Sequence, residues 1–209
     1  MLFQRSANRF LVMADLDILL REYAQFEENL RRAMTGRCAK HCCACTRVCC
    51  REDFCRETIE SPFLSLLRQK YPPPAAYSSQ NGWLTPTGCA LSIGRAPVCY
   101  HFLCSDILVS ELAPNDAYLL EILALLVNHI GKNALGRRHL VEIMNPDDLY
   151  RVKLARFKKK LAEAQTALNI VLDFFDHGHF DAGDIAKLSR IRPMPSDQST
   201  SDLNAAISI

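Results

Sequence analysis

Apolar positions along residues 14–35 recur every three or four places. Leu16, Leu19, Tyr23, Phe26, Leu30 and Ala33 form one stripe, Leu20 and Met34 widen it, and Arg21, Glu22, Glu28, Arg31 and Arg32 take the other faces. That period predicts an amphipathic helix, with Gly36 placed as its C-terminal cap. Ser61 followed by Pro62 is an N-cap and first-turn proline for a short helix over 63–71, which Pro72, Pro73 and Pro74 then stop. Residues 72–88 read as loop, with Asn81-Gly82 and Pro86 as turn signals. A helix is expected over 101–112. A more apolar one is expected over 116–130, capped by Asn115 and ending near Gly131. Asn145, ahead of Pro146, Asp147 and Asp148, opens a long helix reaching about His177. Within it Tyr150, Leu154, Phe157, Leu161, Ala164, Leu168, Val171 and Phe175 alternate by four and three, which is a heptad seam. The stretch after Arg192 is polar and rich in small residues, and is expected to be loose.

The expected fold is therefore mainly α: a small helical bundle with an inserted, irregular, cysteine-rich metal-binding region. Residues 1–36 form the first helix of the bundle, 37–110 the cysteine region, 111–180 a helical hairpin completing the bundle, and 181–209 a short helix and tail. The seams serve as intramolecular core, with homodimerisation through the long helix as the alternative, so the chain is expected as a monomer or homodimer.

A hydrophobic fraction of 49% over 209 residues supports a real core, and a net charge of +2 creates no field pointing to nucleic acid or membrane. Arg151, Lys153, Arg156, Lys158, Lys159 and Lys160 spread over the face away from the seam, as on a solvated helix, and no nucleic-acid partner is expected. Asp15 and Asp17 interrupt FLVMADLDILL, so it does not read as a signal peptide. The apolar run 117–127 is too short to span a bilayer and holds Glu121. The expected location is cytoplasmic, where thiols stay reduced and crowded cysteines bind metal more often than they pair.

All ten cysteines lie between Cys38 and Cys104. Cys38, Cys42, Cys43, Cys45, Cys49, Cys50 and Cys55 form a dense first group, and Cys89, Cys99 and Cys104 form a second. Thiolates are soft anionic ligands, and four satisfy Zn²⁺ or hold an iron–sulfur cluster. The separations 42 to 45, 45 to 49, 38 to 42 and 99 to 104 suit two sulfurs on one metal, because short loops close at little entropic cost. Arg37, Lys40, Arg47, Arg51 and Arg56 lie among the first group, with Arg95 ahead of Cys99, and such cations offset a thiolate site's negative charge. His41 adjoins Cys42 and His101 lies two residues after Cys99; either could replace a thiolate as ligand, and the preferred reading is a polar neighbour of the site. The segment 176–181, with His177 and His179, is read as a capping loop, and His129 and His139 as turn or interface residues. Trp83 precedes Cys89, where it could shield a cluster from water. No phosphate-loop, dinucleotide, HExxH or GxSxG pattern is present.

The run Cys42-x2-Cys45-x3-Cys49-Cys50, the element Gly88-Cys89-Ala90-Leu91, and the stretch Arg95-Ala96-Pro97-Val98-Cys99-Tyr100-His101-Phe102-Leu103-Cys104 resemble the zinc- or iron-chelating cysteine-cluster family of the YkgJ type, over residues 38–106. The spacing before Cys49-Cys50 is one residue longer than in that family, and a cysteine often found between the GC element and the arginine is missing. The resemblance implies a metal site and no particular substrate. Spacing and resemblance together single out Cys42, Cys45, Cys49, Cys50, Cys89, Cys99 and Cys104 as ligands, with Cys38, Cys43 and Cys55 next. The metal is zinc or an iron–sulfur cluster. An iron–sulfur centre implies electron transfer with a redox partner. The alternative is a zinc-stapled module binding a protein partner, and a third reading places the metal at an active site with an open coordination position.

Overall fold

The first helix, α1, spans Leu2–Cys42 in a computed structural model that describes residues 2–42, 52–85, 88–101 and 114–194, with side chains placed for 13–36, 53–85, 88–101, 116–181 and 183–194. Its stripe is buried as the period requires, from Leu16 through Tyr23 and Phe26 to Leu30. The helix does not stop at Gly36, contrary to the cap expected there. Gly36 keeps an ordinary negative φ, and a lone glycine costs about 1 kcal/mol, less than the helix-forming Arg37, Ala39 and Lys40 can carry.

Three elements build most of the core. The second partner, α5 (Pro114–Gly131), buries side chains nearly all round, including Leu119, Ile122, Leu123, Leu126 and Val127, because it packs on both α4 (Pro97–His101) and α7 (Leu154–His177). It begins at Pro114, so Asn115 lies inside it and is not the cap. The long helix α7 also packs on α1.

The long helix is shorter than expected. Asn145 does cap a helix, its side chain accepting from Asp147 N at 3.1 Å, but that helix, α6, covers only Pro146–Leu149. The amides of Arg151 and Val152 bond back to the carbonyls of Asp148 and Leu149, closing a turn. The Asp148 carboxylate reinforces it by accepting from Arg151 at 2.8 Å and Arg138 at 3.2 Å. The chain then restarts at Leu154. Tyr150 is left 40% exposed, outside the seam. The buried face of α7 runs through Phe157, Ala164, Ala167, Leu168, Val171 and Phe174. It therefore drifts from the heptad toward the 3.6-residue period of a straight helix, with Phe174 replacing Phe175. Gly178, at φ +79°, ends α7 as its glycine cap. A capping box between Asp181 and Asp184 opens α8 (Ala182–Leu188).

The cysteine region carries more order than an irregular insert. Helix α2 (Glu52–Glu60) precedes α3 (Pro62–Lys70), whose Ser61 cap accepts from Leu64 N as the Ser-Pro signal requires. The expected loop holds a small antiparallel hairpin, β1 (Leu84–Thr85) with β2 (Gly88–Cys89), in the register Leu84 to Cys89 and Thr85 to Gly88. The fourth helix starts at Pro97, ahead of the expected start at His101, and residues 102–113 lie outside the described part. Among the described residues the protein is thus mainly helical with one two-stranded sheet, and no helix there is long and apolar enough to cross a membrane.

Candidate metal centre

Three of the ten cysteines have described side chains: Cys55 on α2, Cys89 on β2 and Cys99 on α4, none of them in a disulfide. Cys38 and Cys42 lie on the last turns of α1 with their side chains outside the described part, and Cys43, Cys45, Cys49, Cys50 and Cys104 lie outside it altogether. Among the described residues no three His, Cys, Asp or Glu side chains form a metal-binding group.

Two of the three thiols come together. Cys55, Trp83 and Leu91 form a small core of their own, and Cys89 packs against it. The hairpin makes this possible: Ala90 N donates to Trp83 O at 2.8 Å, which folds Leu91 and Cys89 back over the tryptophan. Gly82, at φ +58°, lets the chain pass directly over Cys55. A Cβ there would stand 2.5 Å from the Cys55 sulfur. Polar groups hold the arrangement. Trp83 Nε1 donates to Thr58 Oγ1 at 2.8 Å, the Thr58 hydroxyl donates to Cys55 O at 2.5 Å, and Arg68 donates to Thr58 O while its guanidinium lies 5.7 Å from the Trp83 ring centroid. The indole packs in one cluster with Cys55 and is only 6% exposed.

Cys99 sits apart from that pair and packs against the main core. The short helix carrying it is anchored by a residue the sequence reading passed over. Glu27, on α1, is fully buried. Its Oε2 accepts from Gly94 N at 2.7 Å, and its Oε1 accepts from Arg95 N at 2.9 Å and from the Tyr100 hydroxyl at 2.8 Å. Gly94 at φ +82° turns consecutive amides toward one carboxylate. Arg95 is itself fixed by donating through Nε to Leu91 O at 2.6 Å. Burial pushes the Glu27 carboxyl up to about 7, against the lowering pull of Gly94, Tyr100 and the Arg95 amide and charge. Tyr23 and Tyr100 are fully buried too, and loss of hydration pushes both phenols well above their usual range. One signal could have found Glu27: it lies between Phe26 and Leu30 and one turn after Tyr23, a charge on the buried stripe.

His129 and His139 lie at the turn and helix interface expected of them, and the side chain of His41 lies outside the described residues. His139 caps the 3-10 turn Leu140–Glu142 and lies against Gly131, while His129 Nε2 is 3.0 Å from Glu163. His101 is exposed. The basic stretch is not all free surface: Lys158 pairs with Glu22 at 3.1 Å, and Lys160 donates to the carbonyls of His129 and Lys132 at the end of α5. Comparisons with family models, curated proteins and solved structures find no match.

Of the described thiols, Cys55 is buried in a small apolar cluster against which the partly buried Cys89 packs, and Cys99 lies on a separate helix whose entry is fixed by buried hydrogen bonds to Glu27.

Proposed function

We propose that the chain binds zinc or an iron–sulfur cluster through its clustered cysteine thiolates, in the manner of the YkgJ-type proteins its cysteine spacing resembles. With an iron–sulfur centre its role is to pass electrons to a redox partner. The observation that carries this reading is the meeting of Cys55 and Cys89 in one small core under Trp83, two thiols from separate segments gathered without a disulfide. Among the described residues this core is small, three buried side chains with Cys89 packed against them, and a metal held by thiolates from both the helix and the hairpin would tie the two together. The same smallness favours the second reading, a zinc staple that shapes a surface for a protein partner.

Substitution separates these from chance proximity. Cys55→Ser and Cys89→Ser, each purified without oxygen, are expected to lose metal relative to the unsubstituted protein while keeping the helical signal of the main core. Full metal content in both variants would remove these two thiols from the site.

A further inference from the structure

Far from the cysteines, three cations from two elements line one cleft. Lys159 on α7, Lys187 on α8 and Arg190 in the turn after α8 surround a cavity of about 310 Å³, together with Ala162, Glu163 and Thr166 of α7. The four α7 residues share one helix face by their spacing. Lys187 and Arg190 share a turn closed by Arg190 N donating to Lys187 O at 3.2 Å. Packing fixes the walls even though the charged ends reach solvent. Phe180 stacks on Phe174 with 4.2 Å between centroids, the capping box of Asp181 and Asp184 sets the start of α8, and Leu188 is fully buried beneath it.

Cations gathered round a concave space raise its positive potential, and the fold leaves two of these unneutralised. Lys158 pairs with Glu22 and Arg192 with Glu121, but among the described residues neither Lys159 nor Arg190 has a carboxylate partner. Lys187 is held by Asp184 at 3.0 Å. The lining also keeps acceptors unspent. Glu163 Oε2 lies 3.0 Å from His129 Nε2, and Oε1 has no partner among the described residues. The Thr166 hydroxyl donates to Ala162 O at 2.8 Å, so its oxygen can still accept. The volume is at the small end of the range of about 300–1,000 Å³ for small-molecule sites, and roughly ten times the share of a water molecule, too roomy for a bare inorganic anion. We propose that this cleft binds a small organic phosphate. The phosphate is held by Lys159 and Arg190 with Lys187 beside them, the carbon part lies along Ala162, and Glu163 and Thr166 accept from its hydroxyls. A phosphate monoester brings close to two negative charges and three acceptor oxygens, which a guanidinium fork and an ammonium together match.

Calorimetric titration of the full chain tests this without involving the cysteines, so it stands or falls apart from the metal reading. Ribose 5-phosphate, glycerol 3-phosphate, ribose, inorganic phosphate and succinate would each be titrated at near-physiological salt, with the helix signal of every variant checked beforehand. At least one of the two phosphate esters is expected to saturate at one per chain, with ribose silent and inorganic phosphate and succinate about tenfold or more weaker. Lys159→Gln and Arg190→Gln are each expected to weaken the ester about tenfold or more, since each removes a charged hydrogen bond to it. Arg156→Gln, an exposed charge on α7 outside the cleft, is expected to leave binding unchanged. No saturable binding of either ester overturns the proposal. So does full affinity in both cleft variants, or an equal loss in Arg156→Gln, which would mean general attraction to a basic surface. Inorganic phosphate binding as tightly as the esters overturns the role of the carbon part, and succinate doing so overturns the choice of phosphate.

Discussion

Single residues carry much of the order around the cysteines, and Glu27 is the clearest case. Its carboxyl sits at about 7 in the fold against 4.5 in the free side chain. The folded state therefore holds a proton that the unfolded state releases between those values. Stability from this residue is fully present below pH 4.5 and is lost as pH rises through 7, by about 3 kcal/mol in all. Glu27→Gln removes that proton exchange. The stability difference between wild type and Glu27→Gln, measured by urea unfolding at pH 5 and pH 8, is expected to shift against wild type at the higher pH, and a flat difference contradicts the assignment. Gly82 is equally specific. Gly82→Ala places a methyl on the Cys55 sulfur in left-handed backbone, at a cost of about 1–3 kcal/mol. Because Trp83 is the only tryptophan, its fluorescence reports on this small core directly, and an unaltered spectrum would mean the core is looser than described. The sequence marks Gly82 only as a turn residue and Glu27 only as a charge on an apolar stripe, not the role of either. A charge on an apolar stripe marks Glu27 only once the stripe's partner is known, and the role of Gly82 depends on a contact with Cys55 from a distant segment.

Elements follow local chemistry where that chemistry is strong. Ser61 with Pro62, and Gly178 with its positive φ, mark helix ends that the sequence alone placed correctly, since an N-cap side chain and a left-handed cap are decided within a few residues. Gly36 and Asn145 mislead for the opposite reason. Continuation through Gly36 rests on the residues after it, and at the break after Leu149 the Asp148 carboxylate accepts from both Arg151 and Arg138, contacts that no local period announces. The hairpin at 84–89 is two residues a side, and the flanking Trp83 and Leu91 pack with Cys55, so no period announces it. The corrected seam makes a clear contrast. Leu168→Ala is expected to cost about 2–5 kcal/mol, and Tyr150→Ala no more than about 0.5 kcal/mol. Comparable losses in chemical denaturation would restore Tyr150 to the seam.

At the scale of the whole molecule, two bodies of unequal strength share one chain. The helical core of α1, α5 and α7 is large and continuous, while the small core under Trp83 holds, among the described residues, Cys55 and Leu91 with Cys89 packed against them. Most of the helical architecture is legible from apolar spacing because burial is periodic. The ligand set is not, because which thiols face one another depends on turns among ten closely spaced cysteines, seven of which lie where no side chain is described. If metal holds the smaller body, a chelator should loosen the region around Trp83 before the helical core melts, seen as a fluorescence transition at lower temperature than the loss of helix signal. A single coincident transition with and without chelator would mean that metal holds neither. Lys159→Glu leaves the fold intact on this account, because that side chain is exposed on α7.

The most direct test is the metal itself. The protein would be purified without oxygen, its ultraviolet–visible spectrum recorded, and iron, zinc and acid-labile sulfide measured per chain. The account predicts bound metal in a fixed ratio to protein: either zinc in a colourless protein, or iron and sulfide in near-equal amounts with visible absorbance. A well-folded, colourless chain carrying neither zinc nor iron, with all ten thiols reduced and titratable, would contradict it.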